Sequence, residues 1–406
     1  MREGDAVLIA AQSGRALAQA ARRAGLRPYV LDLFGDADTL ELADAHRTLP
    51  GRFGTGRHGT DAVLWGLEAL AGLAGNRTLG VILGSGFEGS PRLMARIAAR
   101  HRLIGAGPGT VAALKDPMLF AALCERLAIP HPPVTTAPRV DRAAWLTKRA
   151  GGSGGSHIRT ATAGAAPPEH YFQARVPGRA CALNFMADGR NVAVLSFTEQ
   201  WSRPSALRPF RFAGAIAPGR HEPSRVPADL LAAMTDAIAR LIQATGLRGL
   251  ASADLLVDGG SWWLLEINPR PGATLDALDR RPTPLLAAHI EASLGCMPRL
   301  DAPPVDAAGS EICYAARRYA SVQPLDWPDF TRDRPRDGSF VARDAPFCTV
   351  TAHGLDTAAV RHALRERAGT IAALLDGRTN QDGYRYQAAE HQQADGPADR
   401  QAGRRR

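Results

Sequence analysis

Lysine is almost missing from this chain. Of its 49 basic residues only two, Lys115 and Lys148, are lysines, and the other 47 are arginines. Arginine serves wherever a positive charge is enough, so the two lysines mark places where a compact ammonium is needed and a planar guanidinium would not substitute, as against nucleotide phosphates. Cysteine is scarce too: the five are odd in number, widely spread and without a CxxC pair, which indicates neither a disulfide framework nor a zinc site and fits a reducing cytoplasm. No stretch approaches about 18 consecutive apolar residues, and the first apolar run is too short for a signal peptide, so neither a membrane span nor secretion is expected. Aromatic residues make up 6% of the chain and are rarely interleaved with its scattered basic residues. The net charge of +9 therefore does not read as a nucleic-acid footprint. None of the eleven histidines falls in an HExxH pattern, and isolated ones such as His157 and His289 read as surface or packing residues. No internal repeat is visible.

With 45% hydrophobic and 22% charged residues over 406 positions, the chain can bury a substantial core in two or three domains. Residues 1 to about 105 alternate apolar runs ("AVLIA", "PYVLDLF", "LGVILGSG", "HRLIGAG") with amphipathic stretches, the pattern of a parallel α/β layer. Ligands bind at the ends of such strands. Two loops there, Gln12 to Arg15 and Gly84 to Glu88, either reach a substrate or serve as turns with helix caps. After residue 300 the pattern becomes short strands and one helix, and from about residue 377 core-forming residues nearly vanish before the closing "GRRR", as in a disordered tail.

The stretch "WWLLEINPRPG", residues 262 to 272, reads as a strand ending in a turn. Strict alternation puts Trp262, Leu264, Glu266 and Asn268 on one face and Trp263, Leu265 and Ile267 on the other. Upstream, "GLASADLLVDGGSW" supplies an apolar strand and a DGG hairpin signal; a turn centred near Gly260 sets Asp254 opposite Glu266. Oxygen donors from Asp254, Glu266 and Asn268 on one face suit a hard divalent cation, magnesium or manganese. The alternative is a polar strand end at a sheet rim. In "WLTKRAGGSGGSHIR", Lys148 precedes Gly151, Gly152, Ser153, Gly154 and Gly155. Glycines let backbone N–H groups approach anionic oxygens, although the spacing is neither a Walker A loop nor GxGxxG, and a flexible linker is the other reading.

The order of these pieces resembles the ATP-grasp superfamily of carboxylate-activating ligases. "LKDPMLFAALCERLAIPHPP", "KRAGGSGGSHIR", "YFQARVPGRACALNFMADG" and "ASADLLVDGGSWWLLEINPRPG" follow one another as that family's motifs do, over roughly residues 105 to 300. The nearest sub-group is the predicted ATP-dependent carboligases similar to biotin carboxylase. The resemblance implies an N-terminal Rossmann-like, pre-ATP-grasp domain over 1–105, an ATP-grasp module over 106–300, a small C-terminal α+β domain over 301–376 and a tail over 377–406. It implies ATP with magnesium, Lys115 and Lys148 on the phosphates, Gly151 to Gly155 as a lid, and a hinge at Gln173, Ala174 and Val176 facing adenine. It further implies Asp254, Glu266 and Asn268 on the metal, and Arg270 with Lys148 at the transferred phosphoryl group. Where the family usually carries acids after the hinge glutamine, this chain has Ala174 and, near Gly178, Arg179 and Ala180, which bears on ribose recognition. Arg149 stands where a proline often follows the lid lysine.

Phosphorylating a carboxylate with ATP makes an acyl phosphate that an amine can attack, and positioning plus charge neutralisation suffice for that chemistry. The expected substrates are a small-molecule carboxylate and an amine; nucleic acid and membrane are not expected partners, and a homodimer is left open. A carboxylase forming carboxyphosphate would share the module. A non-catalytic nucleotide-binding protein would be expected to have lost the metal ligands, and all three are present. Some ligases of this general type join glutamate to an amine while building one-carbon-carrier cofactors, an analogy at fold level.

Overall fold

The computed structural model describes residues 2–51, 53, 58–137 and 141–377. The expected disordered tail lies, from residue 378 on, outside the described residues. The N-terminal layer runs β1 (Ala6–Ala10), α1 (Arg15–Arg23), β2 (Arg27–Asp32), α2 (Ala37–Leu42), β3 (Ala45–Thr48), α3 (Thr60–Ala74), β4 (Thr78–Leu83), α4 (Pro91–Ala98) and β5 (Leu103–Ile104). Its five strands form a parallel sheet in the order β3-β2-β1-β4-β5. The apolar run Ala6–Ala10 takes the centre, buried along its whole length, as a parallel strand covered on both faces requires. The α/β layer read from the sequence is present, with one strand added: β3, "AHRT", sits at the edge and is only half-buried, so it carries none of the apolar signal that marks its neighbours.

Two helices, α5 (Pro108–Lys115) and α6 (Pro117–Arg126), lead into a small antiparallel sheet of β6 (Val134–Thr135), β7 (Trp145–Arg149), β8 (Arg159–Thr160) and β9 (His170–Ala174), ordered β6-β9-β7-β8. A larger antiparallel sheet follows. It contains β10 (Arg179–Asp188), β11 (Val192–Ser202), β12 (Phe212–Ala217), β13 (Arg248–Asp258) and β14 (Ser261–Asn268), with α7 (Ala228–Thr245) inserted before β13 and α8 (Leu275–Leu278) and α9 (Leu285–Ser293) after β14. The strands after residue 300, β15 (Ala307–Tyr314), β16 (Thr331–Arg332) and β17 (Pro346–Gly354), build no sheet of their own: β15 pairs with β12, and the whole runs β14-β13-β10-β11-β12-β15-β17-β16. The chain closes on α10 (Thr357–Gly377). Residues 1–368 form one unit, and the described part of the second, from Gly369, is the end of that helix.

One buried guanidinium ties three distant segments together. Arg15, the first residue of α1, is 2% exposed. Its Nη1 and Nη2 donate to the two carboxylate oxygens of Asp276 at 2.5 and 2.6 Å, its Nε and Nη2 donate to Asp333 at 3.0 and 3.1 Å, and Nη1 also reaches Gln19 at 3.2 Å. All five N–H donors of arginine are thereby used. Asp276 lies in α8 and Asp333 just after β16, so this cluster joins the first βα loop to the segments after β14 and β16. Removing one partner from a buried ion cluster strands the others, at a cost of about 3–5 kcal/mol. Arg15→Met is expected to lower the unfolding free energy by about that amount in a urea titration, and adding Asp333→Asn to recover part of it.

Candidate active site

Helix α5 delivers Lys115 because the chain breaks immediately after it. Asp116 is the N-cap of α6, its carboxylate accepting from the amides of Met118 and Leu119 at 3.0 and 2.9 Å, with Pro117 in the first helical position, where its missing N–H costs nothing. The lysine is buried and its Nζ donates to Glu266 Oε2 at 3.0 Å, to the carbonyl of Ile267 at 3.1 Å and to Asn268 Oδ1 at 3.4 Å.

The β13–β14 hairpin turns at Gly259 and Gly260, and Asp254 lies opposite Glu266 as the turn signal implied. The alternation within β14 differs from the sequence reading. Asp254 pairs with Glu266 but Leu255 pairs with Leu264, so Leu265 is an extra residue, a β-bulge that shifts the phase of the strand by one. Trp262, Leu264 and Ile267 face the core, whereas Leu265, Glu266 and Asn268 line a cavity. Trp262 and Leu264 thus do not share the face of Glu266 and Asn268. Asn268 Nδ2 donates to Asp254 Oδ2 at 3.0 Å, joining the three oxygen-bearing side chains in one network with Lys115.

Burial and the adjacent Glu266 charge push the Asp254 carboxyl up to about 7. Burial would raise Glu266 as well, but Lys115 and Lys148 outweigh it and hold that carboxyl well below the usual carboxylate range. Two carboxylates and an amide oxygen, one carboxylate unable to ionise easily beside the other, form a donor set that fits a hard divalent cation. Among the described residues no group of three or more His, Cys, Asp or Glu is placed to hold a metal, so any cation here relies on Asn268.

The cavity has a volume of about 500 Å³. Lys148, Ser153, Gly154, Gly155, Gln173, Ala174, Val176 and Arg270 line it together with Asp254, Glu266 and Asn268. Lys115, Gly151 and Gly152 instead line a smaller cavity behind Glu266. The Lys148 ammonium makes no hydrogen bond among the described residues; burial lowers its pKa, opposed by Glu266 and Asp254. The cavity wall at Ala174 and Ala180 is methyl, with no acid at either position. Both N-terminal loops reach the cavity, through Gln12, Ser13 and Arg15 and through Gly84 and Ser85.

Other residues at the site carried little sequence signal. Glu88 is 3% exposed, accepts from the amide of Gly86 at 2.6 Å and pairs with the guanidinium of Arg270; burial acts to raise its pKa, but Arg270 and Lys115 hold it low. Glu88 thus fixes Arg270 rather than capping a helix. His157 is, of its two readings, a packing residue: it is half-buried against Gly152 of the glycine loop, and desolvation drives its pKa down to about 4. His289 is a packing residue as read, its Nδ1 accepting from Leu250 N at 2.8 Å.

Residues 117–274 match the family described as the ATP-grasp domain. That segment is an ATP-grasp domain. No curated protein matches the chain. Among solved structures, a biotin carboxylase domain of a single-chain bacterial carboxylase superposes with a TM-score of 0.62 at 20% identity over 90% of this chain and 88% of that one. An L-amino acid ligase from Bacillus licheniformis gives 0.62 at 14% identity over 90% and 98%. The biotin carboxylase domain of Hydrogenobacter thermophilus 2-oxoglutarate carboxylase, a dimer in complex with MgADP, ADP and bicarbonate, gives 0.64 at 13% identity over 87% of each chain. At these identities the likeness is one of fold.

Within the ATP-grasp fold the glycine loop lies between the two antiparallel sheets, seated on the start of β12: Phe212 N donates to the carbonyl of Gly154 at 2.9 Å. Gly154 and Gly155 have φ of +64° and +67°, and a Cβ on Gly155 would fall 1.9 Å from the carbonyl oxygen of Phe210, whereas one on Gly154 would meet nothing within 4 Å. Gly154→Ala therefore pays only for its backbone conformation, about 1–2 kcal/mol, while Gly155→Ala must also move the loop. Limited proteolysis of the two variants is expected to cut the loop of Gly155→Ala several-fold faster than that of Gly154→Ala.

Proposed function

We propose that the protein is an ATP- and magnesium-dependent ligase that activates a carboxylate as an acyl phosphate and passes the acyl group to an amine. The observation that carries this reading is the charge arrangement on one cavity wall: Asp254, Glu266 and Asn268 with the ammonium of Lys148 and the guanidinium of Arg270. These are the groups needed to hold a nucleotide polyphosphate and neutralise charge as a phosphoryl group moves. Asp254, Glu266 and Asn268 would hold the magnesium, which supplies Lewis-acid neutralisation of phosphate oxygens.

Lys148, buried and with its ammonium unpaired among the described residues, is set to meet phosphate oxygens; Lys115 holds Glu266 and Asn268 in place from behind. The glycine loop excludes water over the phosphates, and Arg270, oriented by Glu88, faces the group in transfer. A carboxylate oxygen bonds to the γ-phosphorus as the bond to ADP breaks. The amine nitrogen then bonds to the acyl carbon, phosphate leaves, and the amine gives up a proton.

Activation of bicarbonate as carboxyphosphate would use the same wall. The size of the cavity and its aromatic lining by Phe34, Trp201, Phe210, Phe212, Tyr314 and Phe347 favour an organic substrate. A purely nucleotide-binding role is disfavoured by the complete donor set.

A screen of amino acids and amines for phosphate release from ATP, with mass spectrometry of products, tests the reading. Asp254→Asn and Glu266→Gln are each expected to abolish magnesium-dependent turnover with the melting temperature little changed. Lys148→Arg is expected to lower kcat/KM for ATP at least about tenfold, or about 1.4 kcal/mol. Near-normal turnover in all three variants would contradict it.

A further inference from the structure

The cavity extends past the phosphate wall to the N-terminal layer, where Gln12, Phe34, Asp36, Phe53 and Asp333 line it. Asp36 is the N-cap residue of α2. A capping aspartate ordinarily turns its carboxylate onto the second or third amide of its helix. Asp36 does not: it makes no side-chain capping bond, and the first helical amide, Ala37 N, donates instead to the carbonyl of Arg334 at 2.8 Å. The residue is 7% exposed, and its carboxylate accepts no hydrogen bond from any described residue.

The surrounding charges make this carboxylate stand out. Asp32 is satisfied by the amides of Gly14 and Gly35 at 2.8 and 2.9 Å and by His46 Nε2 at 2.8 Å. Asp38 accepts from the amides of Asp333 and Arg334 at 2.9 and 3.0 Å. Asp333 and Asp276 share Arg15, whose five donors are all committed. Among the described residues Asp36 faces these acids with no donor of its own, and burial together with the charges of Asp333, Asp32 and Asp38 raises its proton affinity well above that of an ordinary carboxylate. Beside it, the Gln12 side chain is also 7% exposed, lines the same cavity and makes no hydrogen bond among the described residues. A buried acid in an acidic surround is stabilised by an opposite charge, and both lysines stand instead by Glu266. Among the described residues the neighbouring acids already have their own donors, which leaves Asp36 a single open carboxylate, a donor set that fits an organic cation better than a metal ion. Phe34 and Phe53, their ring centroids 6.0 Å apart, offer it an apolar wall.

We propose that Asp36 and Gln12 bind the ammonium group of an amine-bearing substrate, an amine or an amino acid, whose apolar body packs on Phe34 and Phe53. Its place as a substrate rests on the ligase reading; the binding itself does not. Isothermal titration calorimetry on the full chain, without nucleotide, tests it with 2-phenylethylamine and L-phenylalanine as probes and 2-phenylethanol and 3-phenylpropanoate as the same shapes lacking the ammonium. At least one ammonium probe is expected to bind, and its counterpart lacking the ammonium at least about tenfold more weakly, the loss that follows from deleting one charged hydrogen bond. Preference for 2-phenylethylamine assigns the pocket to the amine acceptor, and preference for L-phenylalanine to an amino acid. Asp36→Asn is expected to reduce that binding by a similar factor at an unchanged melting temperature; should the variant not fold, the comparison of probes in the wild-type protein decides. No binding of either ammonium probe at millimolar concentration, equal binding of the counterparts, or undiminished binding by folded Asp36→Asn would overturn the proposal. ATP turnover is read separately, so ammonium binding without turnover defeats only the ligase reading, and turnover without ammonium binding defeats only this site.

Discussion

The site depends on one ammonium set beneath two acids. Asp254 and Glu266 face each other across neighbouring strands, and like charges that close in a poorly solvated place cannot both ionise unless a cation shares the space. Lys115 supplies that cation to Glu266, gripping its carboxylate, the Ile267 carbonyl and the Asn268 amide oxygen together. The grip fixes the end of β14 and hence the turn that carries Arg270. Burial and the Glu266 charge push the Asp254 carboxyl up, so in the proposed site a divalent ion would take the place of a proton there. Lys115 can do this because α5 ends at its position and α6 starts afresh from the Asp116 cap.

The rest of the cavity is arranged around that fixed point. Lys148 and Arg270 bring positive charges to its lining, suited to phosphates; the first βα loop and the segment after β16 bring an excess of aspartates. In the proposed reaction an anionic nucleotide tail and a cationic amine would each find opposite charge within one 500 Å³ space, which would order two reactants before any chemistry takes place. Arg15 makes the arrangement possible. It neutralises Asp276 and Asp333 and so fastens the strands after residue 300 to the N-terminal layer, and with every donor used it has none for Asp36.

The signals legible in the sequence were those with a strong local cause. The DGG turn set the register of Asp254 against Glu266, and the scarcity of lysine singled out two residues that both stand by that pair. The apolar runs of the N-terminal layer became β1, β2, β4 and β5. The bulge at Leu265 was not legible, because a one-residue slip has no composition of its own and strict alternation misplaced Trp262 and Leu264. The edge strand β3 was missed for want of apolar residues. The joining of β15 to β12, the pairing of Glu88 with Arg270 and the isolation of Asp36 all depend on contacts between residues far apart in the chain, which no periodicity encodes. His157 packs against the glycine loop, one of the two readings open to a solitary histidine.

The central claim is that a carboxylate attacks ATP at this wall. Once an accepted acid and amine are known from the screen, the acid is supplied with its carboxylate oxygens labelled with ¹⁸O and the released phosphate is analysed by mass spectrometry. Acyl-phosphate formation transfers one carboxylate oxygen to phosphate, so phosphate carrying one ¹⁸O is the predicted result. Unlabelled phosphate, or release of pyrophosphate with the label in AMP, would contradict the account.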